Sequence, residues 1–284
     1  MHNEEIVTER LDLLNSLQAS IRCDTRYKNG GIRMPVVIVC HSFMAFKDWG
    51  FFPYVGEQLA RSGFASITFN FSHNGVAGDG ERITDFSKFE NNTISQELED
   101  LNTVIDAVHD ETLSTRPFDE TRIALLGHSR GGGVAIVQTA RDERVKALVT
   151  WSAISTFDRW TKRQKEEWRS VGYLPLARDT SYNPLRIGMN YLDDLERNSQ
   201  ALDLQFAARD VRVPWLLLHG MADVTVPHTE AQTLFGGADK NTATLQLLGN
   251  LGHTYNATSV DEDNYQTLNS IINLTTTWLH RQFE

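Results

Sequence analysis

The residues Gly127-His128-Ser129-Arg130-Gly131 form a G-x-S-x-G box, and their surroundings suit a nucleophilic serine. Upstream lies a compact apolar run, Arg122 to Leu126, that reads as a buried parallel strand. Downstream, Gly132 to Ala140 is a run of small and apolar residues that reads as a helix start. A strand turning sharply into a helix lifts a serine Oγ off a strained corner, where it is free to attack. Each of Gly131, Gly132 and Gly133 would cost roughly 1 kcal/mol in an ordinary helix. Such a breach of local preference implies a backbone that passes close to a neighbour. Ser129 is therefore the candidate nucleophile. The competing reading is a Gly-rich turn whose serine only caps the helix.

A serine hydroxyl at neutral pH needs a base, and the base needs an orienting carboxylate. Two later loops supply them. The apolar run Val213 to His219 reads as a strand and is followed by Gly220-Met221-Ala222-Asp223, so Asp223 sits just past a strand's carboxyl end. The run Thr242 to Leu248 reads as another strand, and the loop after it carries Gly252-His253. Either residue alone is weak, because a loop Asp is usually a turn former and a loop His is usually solvated. Together with Ser129 they stand at successive strand ends in the order Ser, Asp, His, which is the stronger signal.

The elements that must hold these residues can be read from periodicity. Pro35 to Cys40 is a continuous β-branched run, hence a central strand, and Ala65 to Phe71 is another. Ser20 to Tyr27 fits a half-exposed strand ending at an Asn29-Gly30 turn, and Val145 to Trp151 fits a further strand. Helices are expected from about Pro53 to Arg61 and from about Tyr265 to Gln282. Thr93 to Gln96 reads as a capping box opening a third, whose apolar positions Ile94, Leu98, Leu101, Ile105 and Val108 lie on one face. Strands alternating with helices mean a mostly parallel sheet covered on both faces, an α/β fold whose site lies at the strands' carboxyl ends. The alternation lapses between Ser155 and Val211. There a charged helix from Asp158 to Ser170 and a second from Tyr191 to Gln200 suggest a cap inserted at about 156–212 of one domain spanning 1–284.

At this point the chain resembles an α/β-hydrolase, and in particular the dienelactone-hydrolase and prolyl-oligopeptidase-like branch that includes small cinnamoyl and other carboxylesterases. The resemblance runs from about Ser20 onward and rests on the G-H-S-x-G-G box at 127–132, the G-x-x-D at 220–223 and the G-H at 252–253. It implies an oxyanion hole formed by the backbone N–H groups of Phe43 and Arg130, with His41-Ser42-Phe43 standing where the family carries H-G-F. Serine thus replaces the usual glycine. The resemblance further implies a serine hydrolase working through an acyl-enzyme, with a small carboxylic ester as substrate. A peptidase of the prolyl-oligopeptidase-like type is the nearest alternative, against which the short cap argues. A catalytically quiet ligand-binding homologue is another, against which an intact Ser-His-Asp set argues.

Composition bounds the remaining possibilities. The chain has 284 residues, 40% hydrophobic and 23% charged, with a formal net charge of −10. No basic stripe with interleaved aromatics occurs, so nucleic acid is not an expected partner. No apolar run approaches a membrane span and no signal-peptide pattern opens the sequence, so a cytoplasmic protein is expected. Homodimerisation stays open. Cys23 and Cys40 read as buried free thiols. No cofactor is expected, and no metal either: His73, near Asn74 and Asp79, has no second His or Cys at ligand spacing. His128 reads as structural, His41 as a support for the oxyanion loop, and Arg130 as a salt-bridge partner before a substrate ligand. Arg159, Lys162, Arg163, Lys165 and Arg169 interleave with acids and read as a solvated helix face. An apolar pocket could draw on Phe43, Phe46, Trp49, Phe51, Phe52, Trp151, Trp160, Trp168 or Tyr255, with core packing the default for each.

Overall fold

The computed structural model describes residues 5–30, 32–78, 80, 82–114, 118–176, 185–257 and 262–284. The chain begins with β1 (Ile6–Leu14), β2 (Ser20–Lys28), β3 (Pro35–Cys40), α1 (Phe52–Arg61), β4 (Ala65–Phe69), α2 (Phe86–Glu90) and α3 (Ile94–His109). The middle holds β5 (Asp119–His128), α4 (Arg130–Arg141), β6 (Val145–Trp151), α5 (Lys162–Val171), β7 (Tyr173–Pro175) and β8 (Arg186–Gly188). It closes with α6 (Met189–Arg197), α7 (Leu204–Asp210), β9 (Trp215–Gly220), α8 (Thr229–Gly237), β10 (Ala243–Leu248) and α9 (Glu262–Phe283).

Among the described residues the main sheet runs β1-β2-β4-β3-β5-β6-β9-β10. The strands from β4 through β10 pair in parallel, while β2 is antiparallel to both β4 and β1. This is the expected α/β architecture, with β3 and β5 at its centre. Both faces of β3 are covered, which is why its sequence is an unbroken apolar run. Val36, Ile38 and Cys40 pack into one core with Leu101 and Ile105 of α3 and Ile136 of α4. Val37 and Val39 pack into the other with Val55 and Leu59 of α1 and Ile272 of α9. Each such fully buried aliphatic side chain contributes about 1.5–3 kcal/mol relative to exposure.

Local signals explain the helix ends. Thr93 Oγ1 accepts from the Gln96 N–H while Gln96 Oε1 accepts from the Thr93 N–H, so the capping box closes α3 as read. Helix α1 starts one residue earlier than expected, with Pro53 in its first turn, and stops at Ser62-Gly63, where Gly63 takes φ +92°.

Some elements escape the periodicity. Strand β1 lies on the sheet's edge with every side chain exposed or partly exposed, so its sequence carries no clean alternation. Strand β2, expected half-exposed, is largely buried because both its faces are covered: Ile21, Cys23 and Tyr27 join the core that includes α3, and Arg26 lies against Gly56 of α1. The short α2 and α7 and the β7–β8 hairpin were also not anticipated, and neither was α8. Between β6 and β9 the chain forms α5, the hairpin, α6 and α7, and none of these adds a strand to the main sheet. Residues 177–184 of that segment lie outside the described residues, as does Asp79.

Candidate active site

Ser129 stands between β5 and α4 with φ 56° and ψ −119°, a left-handed backbone that an L-residue adopts only under strain of about 1–3 kcal/mol. The fold holds it there from both sides. The Ser129 N–H donates to the Trp151 carbonyl at 2.9 Å, and the Ser129 carbonyl accepts from the Ile154 N–H at 3.3 Å. The flanking glycines are required by contact. A Cβ on Gly127 would run into the Gly131 carbonyl, one on Gly131 into the carbonyl oxygens of Cys40 and His41, and one on Gly132 would lie 2.6 Å from Ala153 Cβ. The close backbone approach inferred from the glycine run is therefore present.

The structure brings Ser129, His253 and Asp223 together. Ser129 Oγ lies 3.0 Å from His253 Nε2, and His253 Nδ1 lies 2.8 Å from Asp223 Oδ2. Because a carboxylate only accepts, Nδ1 carries the proton and Nε2 is left to accept from the serine hydroxyl. Asp223 sits in the loop after β9 and is buried. Burial works against its charge. Hydrogen bonds from His219 and His253 and from the Val226 N–H outweigh it, and hold the carboxyl below the ordinary carboxylate range. Asp223 Oδ1 takes the N–H groups of Thr225 at 2.9 Å and Val226 at 2.8 Å, which fixes the loop around the acid. His253 follows β10 on a loop that reaches Gly220: a Cβ there would strike the Leu251 carbonyl.

Two further histidines hold this arrangement. His128 Nε2 donates to the His253 carbonyl at 2.8 Å, and burial lowers its pKa to about 3, so the ring is neutral. His219, which the sequence reading missed as anything but a strand end, is fully buried. Its Nε2 donates to the Val226 carbonyl at 2.8 Å and lies 3.3 Å from Asp223 Oδ2. A histidine ending a buried strand four residues before a candidate acid was the available signal.

On the other side of Ser129 lies the loop after β3. His41 Nδ1 donates to the Ser42 carbonyl at 2.9 Å and its Nε2 accepts from the Phe71 N–H at 3.3 Å. Burial lowers the His41 pKa to about 4, which keeps the neutral form that both bonds need. Ser42 is not among the residues with positive φ, whereas Met44 has φ 60°. Backbone conformation at position 42 therefore needs no glycine, and the serine fits the loop. Among the described residues the N–H groups of Phe43 and Arg130 have no protein acceptor, and both residues line the cavity beside Ser129. The Arg130 guanidinium turns away to bond the buried Glu97 and lies over the Phe43 ring, 4.2 Å from its centroid. It is a salt-bridge partner, as read.

The cavity holds about 570 Å³ and is lined by Ser129, His253, Phe43, Met44, Trp49 and Ile154, and by Phe157, Arg159, Trp160, Ile187 and Tyr191 from the segment between β6 and β9. Of the aromatics considered from sequence, Phe43, Trp49 and Trp160 face it. Phe46, Phe51, Phe52, Trp151, Trp168 and Tyr255 are buried and do not line it. Phe157 and Tyr191 were missed, because nothing in a helical or loop pattern tells a pocket wall from a core residue. Among the described residues no group of three or more His, Cys, Asp or Glu is placed to hold a metal. Cys23 and Cys40 are buried and unpaired, and burial pushes both thiols well above their ordinary range.

A sequence model of the α/β-hydrolase-fold family matches residues 35–171. Over that stretch the chain resembles the α/β-hydrolase-fold family, and the chain has the α/β-hydrolase fold, to which its sheet order conforms. An uncharacterised 31.7 kDa protein of Escherichia coli is 28% identical over 160 residues, 56% of this chain and 51% of the relative. The chain thus spans about half the length of the curated relatives it matches. Among solved structures, the α/β hydrolase GrgF from Penicillium sp. sh18 superposes with a TM-score of 0.76 at 18% identity, covering 97% of this chain and 99% of that one. Est1E from Butyrivibrio proteoclasticus, solved with ferulic acid bound, gives 0.68 at 19% identity, covering 96% and 99%. Among the described residues no helix is long and apolar enough to cross a membrane.

Proposed function

We propose that this protein is a serine hydrolase acting on small carboxylic esters. Ser129 is the nucleophile, His253 the general base, and Asp223 the group that orients His253 and stabilises its imidazolium. The observation that carries the reading is the unbroken line from Ser129 Oγ through His253 to Asp223, at 3.0 and 2.8 Å, on a strained strand-to-helix corner. His253 Nε2 takes the serine proton as Oγ attacks the acyl carbonyl. The N–H groups of Phe43 and Arg130 receive the oxyanion, a contribution of roughly 2.7–4 kcal/mol per donor in comparable sites. The imidazolium then protonates the leaving alcohol, and water deprotonated by the same His253 releases the acid. The segment at 156–212 acts as the cap, since Phe157, Trp160, Ile187 and Tyr191 wall the cavity over Ser129. Those apolar walls suit an acyl or alcohol group of modest size, in keeping with an esterase.

The test is mass spectrometry after treatment with a fluorophosphonate, on wild type and Ser129→Ala, beside turnover of short p-nitrophenyl esters. Adduct on Ser129 in the wild type, with turnover abolished in the variant, is the expected result. No adduct on the folded wild type, or a variant with near wild-type turnover, would overturn the assignment.

A further inference from the structure

The cavity beside Ser129 is charged in one sense only. In a protein of net charge −10 its lining, among the described residues, includes Arg130 and Arg159 and no Asp or Glu. Arg130 is spent on Glu97 and Phe43. Arg159 is not. Its side chain is about a third exposed, and Nη1 donates to Glu230 Oε2 at 2.8 Å. Its Nε and Nη2 have no acceptor among the described residues. A guanidinium presents five donors in a planar fork that matches a carboxylate, so one edge of this fork is held and another is open.

The held edge is built firmly. The same Glu230 oxygen accepts from the Ser155 N–H at 2.7 Å and its hydroxyl at 3.3 Å, and Ser155 follows Ile154, whose N–H bonds the Ser129 carbonyl. Arg159 is thereby tied to the loop that supports the nucleophile. Glu230 lies in the first turn of α8, so its charge is also met by that helix's N-terminus. Arg159, so anchored, is also part of the cavity wall.

The neighbouring cations do not share this position. Arg163 pairs with Glu167 and Lys162 approaches Glu166 on an exposed face of α5, while Lys165 bonds Asp158 and Arg169 bonds Glu196. None of them lines the cavity. The reading of a solvated face holds for Lys162, Arg163 and Arg169; Lys165 is only 20% exposed, and Arg159, which precedes α5, is the one of the five that lines the cavity.

We propose that Arg159 recognises an ionised carboxylate on the substrate, so that the site selects small esters bearing a second, free acid group. This rests on the serine-hydrolase reading. The test compares kcat/KM for mono-p-nitrophenyl adipate with p-nitrophenyl hexanoate, and for 4-carboxyphenyl hexanoate with phenyl hexanoate, in wild type, Arg159→Gln and Arg159→Lys. The first pair places the carboxylate on the acyl side, the second on the alcohol side. In one pair the anionic-to-neutral ratio falls about ten- to hundred-fold in Arg159→Gln, chiefly through KM, and recovers in part in Arg159→Lys. A ratio unchanged within about twofold in both pairs overturns the proposal. Fluorophosphonate labelling of Ser129 in the same preparations separates the two failures. Labelled enzyme with an unmoved ratio refutes the role of Arg159 alone, and unlabelled folded wild type refutes the hydrolase reading beneath it.

Discussion

Gly131→Ala tests the link between packing and chemistry at this site most directly. A Cβ at position 131 would enter the carbonyl oxygens of both Cys40 and His41 and lie 2.8 Å from the Cys40 carbonyl carbon. Ordinary contact begins near 3.4 Å, so the chain after β3 must retreat by roughly half an ångström or more. Both colliding groups are backbone, and neither can rotate away. Phe43 lies two residues beyond His41 and moves with it. An oxyanion donor is effective only about 2.7–3.1 Å from the developing charge. Displacing one therefore costs about 10²–10³ in kcat. Gly133→Ala is the matched control, since its Cβ would meet the ends of two side chains, Phe157 Cε1 at 2.9 Å and Leu204 Cδ1 at 3.0 Å. Both are buried, so stability should fall, but neither belongs to the loop after β3, and less than about tenfold in kcat should be lost. The assay is kcat on p-nitrophenyl butyrate, with near-ultraviolet circular dichroism and a thermal melt to establish that both variants fold. A folded Gly131→Ala with kcat within about threefold of wild type would refute the reasoning, because the loop would then tolerate displacement.

Other expectations follow from the same geometry. Asp223→Asn keeps the shape of the site but favours the wrong His253 tautomer, so kcat should fall by about 10⁴-fold in stopped-flow ester hydrolysis. A loss under tenfold would remove Asp223 from the proposed catalytic set. His41 links stability to pH. Its folded-state pKa of about 4 lies below the ordinary 6.5, so on acidification the unfolded chain takes up a proton that the folded chain refuses. Stability is therefore lost as pH falls from 6.5 toward 4, and the slope from this group ends below that. Between about pH 7 and about pH 4.5, wild type should lose about 2–3 kcal/mol more unfolding free energy than His41→Gln, because other titrating groups are common to both. Equal losses in urea titrations would show that His41 is not held neutral.

The candidate chemistry was legible in the sequence because it is local at each position. The glycine run around Ser129 records a backbone that must pass within contact of the next loop. Asp223 and His253 betray themselves by following apolar strands whose ends must share one edge of the sheet. The two-sided burial of β3 is written as an unbroken β-branched run, and the capping box at Thr93 as a pair of side chains three residues apart. Such features are satisfied within a few residues, or by the sheet as a whole. Any chain of this pattern carries them.

What the tertiary structure alone decided is which side chains face which partner. Strand β1 left no clean pattern because an edge strand is largely solvated, and β2 looked half-exposed although elements on both its faces bury it. Trp49 and Trp151 read alike in sequence, yet one walls the cavity and the other fills the core. His128 and His219 hold the candidate base and acid through carbonyl groups distant in the chain. Arg159 is indistinguishable by composition from its cationic neighbours. It is set apart only when Glu230, seventy-one residues later, holds its guanidinium and the residue joins the cavity wall. Sequence determines what each segment can form, because backbone preference and apolar period act over a few residues. Contact between segments far apart is decided by packing, which no local pattern records.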